Sequence, residues 1–186
     1  MKVKIGSSVI ELIQGDITLQ DTEAIVNAAN RTLMGGGGVD GAIHRAAGPE
    51  MLAECRTLGG CDIGDAVITQ GYKLKAQYVI HTVGPVYKGP NPSTERLLES
   101  AYRKSLEVAL AKGICSVAFP AISTGAYGYP LGEAASVALR TVIGFLQAHP
   151  EIKLLRFVLF NQRALEAFEE SLGRLNSKFN IYCMSQ

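Results

Sequence analysis

The amino-acid sequence predicts an α/β domain of three layers, a largely parallel sheet between helices. Three observations carry that reading. Short β-branched runs alternate with long amphipathic stretches, the run SVAFPAI is apolar throughout as a strand covered on both faces must be, and two glycine-rich corners stand where a run gives way to a helix. The 186 residues suit one domain. A chain of this size buries roughly 70% of its unfolded surface.

In order, VKIGSSVIELIQGD reads as two short strands around the turn at Gly6 and Ser7, ending at Gly15 and Asp16. AIVNAAN is a short apolar strand that runs into polar residues. VDGAIHRAAG starts a helix with Ile43 and Ala47 on one face, Gly48-Pro49 breaks it, and Pro49 opens a second helix through about Leu58. DAVITQG and YVIHTVG are adjacent strands. A helix over Thr94 to Lys112 follows from Leu98, Tyr102, Leu106 and Leu110 at spacings of four, widened by Leu97 and Ala101 and ended by Gly113. After SVAFPAI comes a helix over Leu131 to Ala148, with Pro130 at its mouth and His149-Pro150 as its stop. LLRFVLF is the last clear strand, and the helix after it carries Leu165, Phe168, Leu172 and Leu175. The domain is expected over 1–176, with 177–186 a tail of open structure.

Composition excludes several classes. Hydrophobic residues make up 47% and charged residues 19%, as in an ordinary soluble globule. With 18 basic and 17 acidic residues the net charge is +1, so no global field recruits nucleic acid or an anionic membrane, and no basic and aromatic residues interleave. Glu11 and Asp16 interrupt any apolar run before a signal-peptide core forms, and no window approaches a membrane span. Cys55, Cys61, Cys115 and Cys183 show no C-x-x-C spacing, and Cys115 lies in an apolar run; reduced, structural thiols in a cytoplasm are expected. No apolar heptad is present, so the expected state is a monomer.

Ligands of open parallel sheets sit beyond the carboxyl ends of the strands. That rule selects QGDIT (14–18), NAANRTLMGGGGVD (27–40), HTVGPVYKGPNP (81–92) and AISTGAYGYP (121–130). The second and fourth are glycine-rich and each opens a helix, where bare N–H groups and the helix dipole favour phosphate. Neither is a Walker A loop, since no Lys-Ser/Thr follows Gly38 or Gly128, and neither spells G-x-G-x-x-G. Two such cradles suit a diphosphate gripped from both sides; the plainer account of the four glycines is a flexible turn.

Asp40 and His44 are four residues apart and share a helix face. Asp40 can compensate the dipole or cap the helix, and His44 can be a satisfied, partly buried imidazole. Together they make half a metal site, but no third and fourth ligand stands at a helpful spacing, so no metal is expected. The remaining reading is an oriented carboxylate, hydrogen-bonded to His44, that faces the glycine-lined cleft. Asn27 and Asn30 offer donors and acceptors for sugar hydroxyls, or simply form turns. Asp16 can accept from an exocyclic base amine or cap the turn after it. Tyr127 is placed to lie against a ribose, and Phe160 to stack on an adenine or to pack in the core.

The strings GDIT, IVNAAN, GGGGVDGAIHRAAG, VIHTVGP and AFPAISTGAYGYP, with the closing strand and helix, resemble the macrodomain, in particular its MacroD-type branch. That branch holds bacterial O-acetyl-ADP-ribose deacetylases and protein mono-ADP-ribosyl hydrolases. The match runs from about Lys2 to Leu175. The resemblance implies a mixed sheet of six to seven strands that binds ADP-ribose across the strand ends. Asp16 would hold the adenine amine with help from the Ile17 amide, and Phe160 falls where the branch places an aromatic against adenine. The amides of Ser123, Thr124, Gly125, Ala126 and Tyr127, and of Gly37, Gly38 and Val39, would take the diphosphate. Asn30 and Asp40 would surround the distal ribose, supported by Asn27 and His44. GGGGVDGAIH departs from the Cys/His pattern of zinc-dependent macrodomains, so neither a metal nor another cofactor is implied.

The implied reaction is hydrolysis of an ester at the distal ribose, in O-acetyl-ADP-ribose or in mono-ADP-ribosylated proteins. An aspartate is a weak base, yet it can orient a water and accept its proton as attack develops, with the substrate diphosphate polarising the same water. Asp40 takes that part, with His44 fixing it and Asn30 clamping the ribose. The alternative is a reader module that binds ADP-ribose and catalyses nothing; readers commonly lack the Asn and Asp pair present here.

Overall fold

Exposed Lys2 and Lys4 alternate with buried Val3 and Ile5 in β1 (Lys2–Ile5), and Gly6, at φ +58°, turns the chain into β2 (Ser8–Gln14). That alternation belongs to this edge of the sheet; the structure, a computed structural model, describes residues 1–179 and 182–183. β3 is Ala24–Ala28, β4 Ala66–Gln70, β5 Tyr78–Thr82, β6 Ser116–Phe119, β7 Leu154–Leu159 and β8 Tyr182–Cys183. The helices are α1 (Gly38–Ala47), α2 (Pro49–Leu58), α3 (Pro92–Ala111), α4 (Leu131–Ala148) and α5 (Gln162–Phe179). Prolines at the first turn start α2 and α3, and the Asn91 side chain accepts from the Ser93 amide to cap α3.

The strand order is β4-β5-β3-β6-β7-β2-β1-β8. The five central strands, β5, β3, β6, β7 and β2, run parallel, while β4, β1 and β8 pair antiparallel at the edges. The sheet is therefore mixed with a parallel centre, as expected. One face packs Val26, Ile80, Phe119 and Phe157 against α3, α4 and α5. The other packs Ile25, Val79 and Ala118 against Ile43, Ala47, Met51 and Cys55 of α1 and α2. Among the described residues no helix is long and apolar enough to cross a membrane.

Two expectations are revised, and two open points are filled in. Along α3 the buried seam is Leu98, Ala101, Tyr102, Ser105, Leu106 and Ala109, while Leu97 is exposed and Leu110 only half-buried. A spacing of four advances about 40° beyond a full turn, so three steps carry Leu110 about 120° off the line. Cys115 is exposed, since it precedes β6 and is not part of it, whereas Cys55 and Cys61 are buried; these three are free thiols. Asp16 opens one turn of 3-10 helix at Ile17–Leu19, the turn that its capping reading anticipates. In the tail, α5 continues to Phe179 and β8 pairs with β1; residues 180–181 and 184–186 lie outside the described residues.

Because β2, β7, β6, β3 and β5 are parallel, their carboxyl ends share one edge, which gathers 14–18, 27–40, 81–92, 121–130 and Phe160. From β3 the chain crosses through α1 and α2 on one face toward β5. From β6 it crosses through α4 on the other face toward β7. The neighbours β3 and β6 are thus the point where the winding reverses, and the two glycine-rich loops leave from these two strands.

Candidate functional site

The loop after β3 is shaped by its own side chains. Asn30 Nδ2 donates to the Gly35 carbonyl at 2.9 Å, and Asn30 Oδ1 accepts from Thr32 Oγ1 (2.9 Å) and the Leu33 amide (3.1 Å). Gly35 and Gly38 lie at φ +88° and +57°, where glycine alone is unstrained. Gly36 is crowded for another reason: a Cβ there would stand a tight 3.2 Å from Asp40 Oδ2, so any side chain would press on that carboxylate. Gly37 caps α1 with extended backbone and nothing near its absent side chain. Gly37, Gly38 and the half-buried Val39 thus form the bare helix mouth that the sequence indicates.

Asp40, in the first turn of α1, is only 5% exposed. Its Oδ1 accepts from Asn27 Nδ2 at 2.8 Å and lies 3.3 Å from His44 Nε2. The latter pair is at ion-pair distance but not aligned as a hydrogen bond, so His44 Nε2 has no hydrogen-bond partner within the protein. Asn27 is fully buried, and its Nδ2 also stands 3.2 Å from Nδ1 of His81. The structure therefore brings Asn27, Asp40 and His44 together, with Asn30 beside them on the same loop.

The loop after β6 is held from three sides. Tyr102 Oη of α3 accepts from the Ile122 amide at 3.1 Å and donates to the Pro120 carbonyl at 3.4 Å. The Tyr87 amide donates to the Tyr127 carbonyl at 2.8 Å. Gly84 approaches so closely that a Cβ on it would fall 2.2 Å from Ser123 Oγ. Ser123 is buried, adopts φ +66°, and leaves its hydroxyl without a partner in the protein. Gly125 and Ala126 are exposed, while Thr124 and Tyr127 are half-buried. Among the described residues three buried side-chain atoms lack a partner, Asn27 Oδ1, His44 Nε2 and Ser123 Oγ, and all three belong to these two corners.

At the far end, Asp16 Oδ1 accepts from the amide (2.8 Å) and hydroxyl (2.7 Å) of Thr18, so Asp16 caps the turn that carries buried Ile17. Phe160 is 88% exposed at the end of β7, which overturns its core alternative. Among the described residues no three His, Cys, Asp or Glu side chains gather where they could hold a metal ion.

Sequence reasoning missed His81 and Thr69. His81 is fully buried in β5, in register with Asn27 of β3. Burial, and then the nearby His44, push its imidazole down to about 3, so it is neutral. Its Nε2 lies 2.9 Å from Thr69 Oγ1 of β4. The available signal was a histidine at a face-alternating position inside the apolar run YVIHT.

A reversal of strand winding lined by two glycine corners and a buried, clamped carboxylate defines the class: an α/β protein with a crevice at the switch point of a parallel sheet, the place where ligands of such sheets bind. The Macro domain family model matches residues 26–138. The chain belongs to the Macro domain family, as the motif strings imply. It is 51% identical to an O-acetyl-ADP-ribose deacetylase of Cronobacter sakazakii, over 91% of this chain and 96% of the relative. It superposes on the Oceanobacillus iheyensis macrodomain solved with ADP at a TM-score of 0.92 and 44% identity, over 96% of this chain and 97% of that one. A Trypanosoma brucei macrodomain in complex with ADP-ribose matches at a TM-score of 0.83 and 45% identity, over 88% of this chain and 69% of that one.

Proposed function

We propose that this protein binds ADP-ribose at the β3–β6 crevice and hydrolyses esters at its distal ribose, with O-acetyl-ADP-ribose and mono-ADP-ribosylated Asp or Glu of proteins as substrates. One observation carries the reading: Asp40 is a buried acid whose Oδ1 is engaged by Asn27 and His44 while Oδ2 faces the side-chain-free Gly36. A carboxylate needed only to cap α1 would have no use for that support.

In this reading the amides of Gly37 to Val39 and of Ser123 to Tyr127 hold the diphosphate, with helix dipoles adding attraction. Asp16 and the Ile17 amide take the adenine amine, and Phe160 lies against the ring. Asn30 clamps the distal ribose and keeps its loop in shape. Asp40 orients a water and accepts its proton as the ester is attacked; the diphosphate polarises the same water, which offsets the weak basicity of the carboxylate. The relatives named for deacetylation and for ADP-ribose complexes support the ligand and the bond cleaved.

Three measurements test it. Calorimetric titration is expected to show tight binding of ADP-ribose and weak binding of AMP and NAD; equal affinities would contradict the ligand assignment. Asp40→Ala is expected to lower ester hydrolysis at least about a hundredfold while ADP-ribose affinity stays within about tenfold. Full hydrolysis by that variant would remove Asp40 from the mechanism. An ADP-ribosylated protein left intact by saturating wild-type enzyme in a single turnover would favour the reader alternative.

A further inference from the structure

We infer that His81 is a positioning residue, which fixes the Asn27 amide from below and thereby aims the Asp40 carboxylate; this rests on the hydrolytic reading given above. The geometry determines the proton positions. Asn27 Nδ2 donates to Asp40 Oδ1 at 2.8 Å, because a carboxylate can only accept. The second Nδ2 hydrogen is directed at His81 Nδ1, 3.2 Å away, so Nδ1 must be the bare, accepting nitrogen. A neutral imidazole with bare Nδ1 carries its proton on Nε2, and Thr69 Oγ1 accepts it at 2.9 Å. The Thr69 hydroxyl hydrogen then goes to the Gln70 carbonyl at 3.1 Å. Every hydrogen in the chain from Gln70 to Asp40 has one place, and reversing any member sets two donors or two acceptors against each other.

Nothing in the packing asks for a histidine here. Asn27 and His81 are paired across β3 and β5 on a face otherwise built from Ile25, Val79, Ile43, Met51 and Cys55. A polar pair in an apolar layer costs stability unless fully hydrogen-bonded, and a leucine or phenylalanine would fill the space without that requirement. What the pair achieves is directional: with His81 accepting, Asn27 is denied the flipped orientation in which its oxygen would face Asp40 Oδ1. Asn27 Oδ1, buried and unpartnered, is thereby held on the side away from Asp40 Oδ1. Cys55 Sγ, 3.9 Å from His81 Nε2, completes the enclosure.

The test combines spectroscopy with kinetics. In the wild-type protein, long-range nitrogen–proton correlation spectra are expected to show His81 as a single neutral tautomer protonated on Nε2; a proton on Nδ1 would overturn the inference. His81→Phe is expected to lower kcat for an ADP-ribosyl ester at least about tenfold, with KM and ADP-ribose affinity within about threefold. Unchanged kcat, or binding lost in proportion to rate as a merely structural role predicts, would overturn it. Thr69→Val keeps the imidazole but removes the acceptor of its proton. It carries the same test should His81→Phe not fold, with kcat expected to fall about threefold to tenfold and the tautomer to become mixed; a wild-type rate would count against the inference. A wild-type protein inert toward every ester would overturn the functional reading and the catalytic half of this inference, whereas an active wild type with a fully active His81→Phe would overturn this inference alone.

Discussion

Gly84 and Ser123 sit in different loops, yet neither position can be understood without the other. A Cβ on Gly84 would stand 2.2 Å from Ser123 Oγ and 2.6 Å from Ile122 Cγ2, so an alanine must displace these two buried side chains of the loop after β6 or the loop itself. Overpacking of this kind costs about 1–3 kcal/mol. Because the displaced segment carries the amides assigned to the diphosphate, Gly84→Ala is expected to lower the melting temperature and weaken ADP-ribose binding at least about tenfold. A variant that melts lower but binds as wild type would separate this contact from the ligand loop. The same contrast marks what single residues disclose in sequence. Asp40 and His44 were legible because four residues along a helix is a local distance, and the glycine corners because their composition is unusual. Gly84, His81 and Thr69 were not, because each acquires its meaning from a residue 39, 54 or 12 positions away; even for Thr69 and His81, whose strands read as neighbours, the register that sets the two side chains together is stated by no local pattern.

At the scale of elements, α3 does more than cover the sheet. Its Tyr102 is buried against Phe119 and Phe157, with ring centroids 5.3 and 6.1 Å away, and its hydroxyl satisfies one amide and one carbonyl of the loop after β6. A loop that dips into the core needs such a partner, since an unsatisfied buried backbone group costs about 1–3 kcal/mol. Tyr102→Phe keeps the ring packing and removes the support. It is expected to destabilise the fold by about 1–3 kcal/mol in denaturant titration and to speed hydrogen exchange at Ile122. Unchanged exchange there would show that the loop is held by Gly84 and Tyr87 alone. Helices and strands were readable because each declares its own period, and the ends of α2 and α4 fall at the prolines and glycines that mark them. The side chain that leaves a helical stripe to serve a loop looks, in sequence, like any other core residue.

Across the whole molecule, the two faces of the sheet are closed differently. Three helices cover one; α1 and α2 cover only part of the other, toward β3 and β4. Over β1, β2 and β7 that second face carries a charged row in register, Lys2–Glu11–Arg156, with Nζ–Oε1 and Nε–Oε2 distances of 2.8 and 2.6 Å, and Arg156 reaches on to Gln20 and Asp21. Burial raises the Glu11 carboxyl, but the hydrogen bonds from Lys2 and Arg156 outweigh it and hold the pKa below the ordinary 4.5. The sign follows: the unfolded chain takes up this proton first, so the contribution is complete above about pH 4.5 and is lost as pH falls through the folded value. Glu11→Gln is therefore expected to cost about 2 kcal/mol at neutral pH, a drop of about 4–8 °C in melting temperature. The gap between variant and wild type should close on acidification below pH 4.5. His81, held neutral and pushed down to about 3, erodes stability from about pH 6.5 downward in both proteins, so it cancels in the difference. Melting curves of the pair from pH 7 to pH 3 check this: a gap that stays constant over the whole range would mean that the row shields the bare part of the sheet by packing alone, without its charge.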